Sequence, residues 1–98
     1  MDKPFSASGP TTVVGSSAVQ INFGAGPASF RVRNLSQSAQ YFTHGAASTV
    51  TSAVPVGGTP ALNTIGMLGN SVEVFSNLLP WMIASSATGF EVTQGDGV

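Results

Sequence analysis

The side chains able to do acid–base or metal chemistry are few in this chain. His44 is the one histidine, cysteine is absent, and the carboxylates are Asp2, Glu73, Glu91 and Asp96. A catalytic triad needs a carboxylate and a nucleophile brought to the histidine, and no serine here lies in a Gly-x-Ser-x-Gly turn. A zinc site likewise needs several spaced ligands. We therefore predict no catalytic residues, no metal site and no cofactor, with His44 in a structural or surface role, so the chain is not expected to be an enzyme.

The composition is unusual in its lack of charge. Charged residues make up 7% of the 98 residues, against about 25% in typical soluble domains. The net charge is -1, and the basic residues are Lys3, Arg31 and Arg33 alone. Nucleic-acid binding depends on neutralising phosphates, so nucleic acid is not an expected partner. A surface of small neutral groups is poorly suited to a dispersed monomer, and we expect other protein to cover much of it.

The chain also lacks hydrophobic segments of the lengths that membranes or export require. No apolar run approaches about 18 residues, which predicts that the chain does not span a membrane. The opening stretch MDKPFSASGP has no apolar run after Lys3, so a secretory leader is not expected.

Period-2 alternation of apolar and polar residues predicts the fold class. Val19, Ile21 and Phe23 alternate with polar residues, as do Phe30 and Val32, which is typical of strands with one face in a core. With the turn signals between such runs, the pattern predicts an all-β domain, a single antiparallel β-sandwich or jelly-roll-like small barrel. The seven predicted strands lie at or within residues 18–24, 30–33, 40–43, 49–54, 72–74, 80–84 and 90–92.

Two segments are predicted to lie outside these strands. Residues 1–17 have dispersed apolar side chains among proline, glycine and serine, which indicates an extended arm along a neighbour, anchored by Phe5, or else a disordered leader. The sandwich domain is then 18–98. Residues 55–70 hold four glycines and two prolines and are predicted to be irregular, with a helical turn at most. Such a long loop is either contact-forming or a plain connector.

The two arginines in FRVRNLS raise the question of a partner. Arg31, Arg33, Glu73 and Glu91 are the charges inside predicted strands, and each is expected to point outward beside core residues. On one sheet face they could form a solvated ladder of cross-strand ion pairs. Alternatively, the guanidinium groups could bind carboxylates of a partner, since arginine is enriched at protein interfaces.

The stretch PWMIA is apolar on both faces of its predicted strand. Trp81 and Ile83 must face opposite to Met82, so part of this cluster either packs in the core or meets another subunit. Tryptophan and methionine are both interface-enriched residue types. The predicted partner-contact residues are Phe5, Arg31, Arg33, Trp81 and Met82.

The succession FRVRNLS, AQYFTHG, SVEVF and PWMIASSATGFEVTQGDGV resembles small virion proteins of tailed bacteriophages, over about residues 18–98. In that family, many members are capsid decoration or cement proteins that bind the major capsid protein and stabilise the shell. The resemblance implies a homo-oligomer, with a trimer favoured, located on the capsid surface and made in the host cytoplasm. It also implies that the N-terminal arm and apolar loop residues contact the capsid.

Two other functions remain open. Some members of the resembled family are tail or head–tail junction subunits, whose partner is another virion protein. A carbohydrate-binding module is the alternative from a different class, because sugars stack on aromatic faces. In that case Trp81, Tyr41 and His44 would form the binding platform.

Overall fold

The computed structural model describes residues 5–23 and 29–96, which form eight strands and no helix. The predicted antiparallel β-sandwich is confirmed. We name its layers the arginine sheet, with strand order β1-β8-β3-β6, and the tryptophan sheet, with order β2-β7-β4-β5. The strands are β1 (Ser6–Val14), β2 (Val19–Gln20), β3 (Ser29–Asn34), β4 (Gln40–Gly45), β5 (Thr64–Met67), β6 (Val72–Ser76), β7 (Trp81–Ala84) and β8 (Phe90–Asp96).

The core lies between the two sheets and follows the alternation of the strands. Phe30 and Val32 of β3 face Phe42 of β4, and all three side chains are at most 1% exposed. The Phe42 ring meets those of Phe75 and Phe90 edge to face, with centroids 5.6 and 5.3 Å apart. Aromatic pairs favour this geometry, which adds about 0.5–1.5 kcal/mol per pair beyond the burial itself.

The strand predicted for residues 49–54 is wrong, and a strand that was not predicted, β5, lies within 55–70. Both flanks of β4 are taken by β5 and β7, so residues 49–54 find no free edge there. They cross the outer face of the tryptophan sheet instead: the Ala53 N–H donates to Thr43 Oγ1 at 3.2 Å. β5 was not recognised in the sequence because it has only four residues and is flanked by glycines and asparagines, which are typical of turns.

The N-terminal segment differs from the predicted arm over most of its described length. Ser6–Val14 is β1, an edge strand paired antiparallel with β8. The register shifts between Ala7 and Thr11, at a bulge that contains Gly9 and Pro10. The sandwich therefore includes residues that the sequence analysis placed outside it. Residues 1–4 of the predicted arm lie outside the described residues.

The predicted first strand is also shorter than expected. It comprises only Val19–Gln20, and Ile21 beyond it is buried while Phe23 is 53% exposed. The Phe23 N–H donates to Gln94 Oε1 at 3.0 Å instead of joining a ladder. The chain leaves the sheet gradually: the Ile21 N–H still donates to Pro80 O beside β7 at 2.8 Å, and at Phe23 the acceptor is the Gln94 side chain.

Candidate interaction surfaces

The outer face of the arginine sheet carries both strand arginines. Arg31 and Arg33 are exposed, and on the neighbouring strand Thr93 lies opposite Arg31 and Glu91 opposite Arg33. Directly opposed residues share a face, so the prediction that Glu91 and the arginines lie together is confirmed.

Glu73 does not belong to this face, which corrects the prediction. It lies opposite the buried Val32, whereas Val72 and Val74 lie opposite Arg33 and Arg31. The phase of β6 is therefore the reverse of the one predicted, a difference of one residue in a period-2 element. Phe75 points inward and packs against the core. Glu73 is on the same side of β6 but remains exposed, because β6 is an edge strand.

Phe5 is anchored within its own chain. A Cβ atom on Gly95 would lie 2.5 Å from Phe5 Cζ, so the ring occupies the space above this glycine of β8. The guanidinium carbon of Arg31 lies 5.7 Å from the ring centroid, within the range of a cation–π contact. Phe5 and Arg31 thus bind one another, and a partner at this face would meet them as a unit.

The strand β7 divides its apolar residues between the two faces. Met82 is 0% exposed in the core, so it stabilises the fold and offers no surface to a partner. Trp81 and Ile83 lie on the outer face and are half-buried. Trp81 is opposite Gly45, where a Cβ atom would lie 2.7 Å from Val50. Val50, in the connection between β4 and β5, therefore packs beside Trp81.

The β4–β5 loop, residues 46–63, is the longest connection between the described strands and carries exposed apolar side chains. Its tip is a turn at Gly57 and Gly58 closed by the bridge between Val56 and Thr59. Val54 is 50% exposed and Val56 70% exposed. This loop includes residues 55–63 of the segment 55–70, which was predicted to be either a contact-forming loop or a plain connector, and Val56 gives that part an exposed apolar side chain.

The three residues of the proposed sugar platform do not converge. Tyr41 lies on the outer face of the tryptophan sheet, its ring beside Gly66, and Trp81 lies on the same face opposite Gly45. Gly45 lies four positions after Tyr41 on β4, which is about 13 Å of extended chain. His44 lies on the opposite, inward phase, beside Met82.

His44 has a structural hydrogen bond. Its Nδ1 accepts the Leu79 N–H at 3.1 Å, which fixes the neutral ring as the tautomer protonated at Nε2. Partial burial lowers the pKa of His44 below its ordinary value, because desolvation disfavours the charged imidazolium. Through this hydrogen bond, His44 joins β4 to the β6–β7 connection.

A buried amide network at the other end of β4 was missed by the sequence analysis. Asn34 is 1% exposed; its Nδ2 donates to the main-chain oxygens of Ser38, Met67 and Leu68. Its Oδ1 accepts from Ser36 N and from Gln40 Nε2. The sequence contained a signal for this network: Asn34 follows Phe30 and Val32 at every second position, so the alternation of β3 predicts a polar side chain that points into the core.

Gln40 extends this network to the β7–β8 connection. Its Nε2 also donates to Gly89 O at 2.5 Å, and its Oε1 accepts from Ser86 Oγ at 2.5 Å. Every buried side-chain nitrogen and oxygen of the described residues has a hydrogen-bond partner. A fully satisfied buried network rigidifies a fold, and we assign this one to stability.

Within residues 5–23 and 29–96, no three histidine, cysteine, aspartate or glutamate side chains cluster so that they could hold a metal ion. The same residues contain no helix long and apolar enough to cross a membrane. No protein family, curated protein or solved structure matches the chain.

Proposed function

We propose that this protein is a structural subunit of a larger assembly, and specifically a capsid decoration protein that binds and stabilises a tailed-phage shell. The observation that carries the proposal is the exposed apolar surface of the β4–β5 loop in a chain with 7% charged residues. Exposed apolar patches on small soluble domains mark interaction sites. Contact with a partner protein would remove this apolar surface from water, which is energetically favourable.

The β4–β5 loop is the part that we assign to the capsid contact. Val54 and Val56 project from a segment that contains no lysine, arginine, aspartate or glutamate between residues 34 and 72. A neutral apolar loop can dock on the shell without removing charges from water, a step that is costly when the charges are not paired. Many copies repeated by symmetry would then reinforce the shell through individually weak contacts.

Binding to capsids tests the proposal directly. The purified chain is added to capsids of its own phage that have been emptied and stripped of it, and bound protein and the capsid melting temperature are measured. We expect micromolar or tighter binding and a higher melting temperature. Val56→Lys is expected to weaken binding roughly tenfold or more, equivalent to about 1.4 kcal/mol. Val13→Lys, at an exposed site on the arginine sheet, is the matched control. Absence of binding would contradict the proposal.

A tail or head–tail junction subunit is the second candidate, and its copy number separates it from a shell protein. Quantitative mass spectrometry of intact virions gives the number of chains per particle. A decoration protein is expected in hundreds of copies because it follows the symmetry of the shell. A junction or tail component is expected in few.

A further inference from the structure

We propose that β5 is a dimerisation strand, whose free edge pairs antiparallel with β5 of a second copy of this chain about a two-fold axis at Ile65. The two tryptophan sheets would then form one continuous sheet. This inference concerns the chain alone and holds whether or not the chain binds a capsid.

The first argument compares the edges of the two sheets. Edge strands expose unpaired main-chain groups, and proteins block them with bulges, prolines, inward-facing charges or very short strands. In the arginine sheet, β1 has a bulge with Pro10, and β6 has Glu73 on its inward phase. In the tryptophan sheet, β2 has two residues. The sequence of β5, Thr-Ile-Gly-Met, has no proline and no charge, and its register with β4 runs without a shift.

The second argument is the direction of the β5 main-chain groups. His44 N–H donates to Asn63 O at 3.0 Å, one residue before β5. Hydrogen-bonded and non-hydrogen-bonded pairs alternate along an antiparallel ladder, so Ile65 directs its N–H and C=O groups toward β4. Thr64 and Gly66 direct theirs toward the free edge. A two-fold axis at Ile65 places Thr64 opposite Gly66 of the second copy, where both can exchange hydrogen bonds.

The third argument is the position of the exposed leucines. Leu62 is 82% exposed and Leu68 76% exposed, the highest values among the large apolar side chains of residues 5–23 and 29–96. Each is three positions from Ile65, on opposite sides of it. The same two-fold axis places the end of β5 that follows Leu62 beside the end that precedes Leu68 in the second copy, although Leu62 itself lies in the turn at Asn63 (φ 55°), outside the strand. This symmetry selects a second copy over an unrelated strand.

Charge is compatible with this occupant. The segment between residues 34 and 72 contains no lysine, arginine, aspartate or glutamate. Two copies can therefore approach along β5 without like-charge repulsion, which would otherwise penalise the juxtaposition of identical surfaces. An acidic or basic partner strand would find no opposite charge here.

Sedimentation equilibrium of the full-length chain tests the pairing, at concentrations from about 10 μM to about 1 mM, because a short paired strand gives a small interface. We expect a reversible monomer–dimer equilibrium. Leu62→Glu and Leu68→Lys, each alone, are expected to weaken dimerisation at least tenfold. The double variant Leu62→Glu/Leu68→Lys is expected to restore it, because the two-fold axis brings each glutamate to the strand end that carries a lysine in the other copy. Val13→Lys is the control, and circular dichroism verifies folding.

Amide hydrogen exchange of the unsubstituted chain provides a second measurement that needs no variant. Protection of the Thr64 and Gly66 amides is expected to rise with protein concentration. A chain that stays monomeric throughout, or a trimer in which these amides exchange freely, overturns the proposal. Failure of the double variant to restore pairing overturns the axis at Ile65. A monomer that still binds capsids would refute this inference and leave the proposed function intact.

Discussion

The two ends of the sandwich differ in the polar side chains that they place on the inward side of a strand. At the Asn34 end, where β3 finishes and β4 begins, two buried amides make neutral hydrogen bonds with three connections of the chain, β3–β4, β5–β6 and β7–β8. At the His44 end, where β4 finishes, a half-buried imidazole accepts one hydrogen bond from Leu79 N. Each end places a polar side chain on the inward phase of a strand.

The difference lies in what each polar group can do when conditions change. An amide does not titrate, and the Asn34 side chain is sealed from water, so its contribution persists over a wide pH range. An imidazole titrates near neutral pH, and its Nδ1 cannot accept a hydrogen bond once protonated. The hydrogen bonds at the Asn34 end therefore do not depend on pH. The hydrogen bond at the His44 end is lost when His44 is protonated.

The largest expected effect is a change at Gly89, beside the Asn34 network. Gly89 has φ +69°, and a Cβ atom there would lie 1.7 Å from Val14 O. Gly89→Ala combines the cost of a left-handed conformation with a main-chain clash, so we expect a loss of at least about 3 kcal/mol in the free energy of unfolding. Urea unfolding measures it, and a midpoint close to that of the unsubstituted chain would contradict the packing described.

Gly58 is the matched control for this substitution. It has φ +79°, but a Cβ atom would meet nothing within 4 Å, because Gly58 lies at the open tip of the β4–β5 loop. Gly58→Ala should therefore cost only the conformational part, about 1 kcal/mol. If both substitutions cost the same, the clash with Val14 O is not what makes the Asn34 end rigid.

The second effect tests the hydrogen bonds of the Asn34 network separately from its packing. Asn34→Asp is nearly isosteric but replaces the Nδ2 donor with an oxygen that faces the Met67 and Leu68 carbonyls. We expect the free energy of unfolding to fall by about 3 kcal/mol at neutral pH. The new carboxylate oxygen would be buried against two carbonyl oxygens and would meet no hydrogen-bond donor. Asn70→Asp, at an exposed turn position, is expected to change stability by no more than about 0.5 kcal/mol.

Much of the sandwich could be predicted because alternation is a local property of the sequence. Phe30 and Val32, or Phe90 and Val92, identify their strands and inner faces without knowledge of the neighbours. The phase of β6 could not be read this way: Val72, Val74 and Phe75 offer apolar residues to both faces, and only the pairing with β3 decides that Phe75 enters the core.

The interaction surfaces were less predictable because they depend on contacts far apart in the sequence. Phe5 was predicted to anchor an arm on a neighbour, whereas its ring packs over Gly95 on the last strand of its own chain. The segment 49–54 has strand-forming residues, yet β5 and β7 already flank β4. Whether an apolar residue finds a place within the chain or on a partner is decided by which edges and faces remain open.

The smallest expected effect belongs to the His44 end and depends on pH. Burial lowers the pKa of His44 in the folded chain, so between about pH 6.5 and the lower folded pKa the unfolded chain binds more protons. The stabilisation is therefore present above about pH 6.5 and is lost as the pH falls through the folded pKa. We expect the free energy of unfolding to decrease between about pH 7 and pH 5.

The His44→Gln variant isolates this effect, since an amide oxygen can accept the Leu79 N–H without titrating. Urea unfolding of both chains at about pH 7, 6 and 5 should show a steeper decrease for the unsubstituted chain, because the variant lacks the group that titrates in this window. A resonance titration of the imidazole should place its pKa below the ordinary value. Equal slopes for the two chains would mean that the His44 end is as insensitive to acid as the Asn34 end, and the contrast between them would fail.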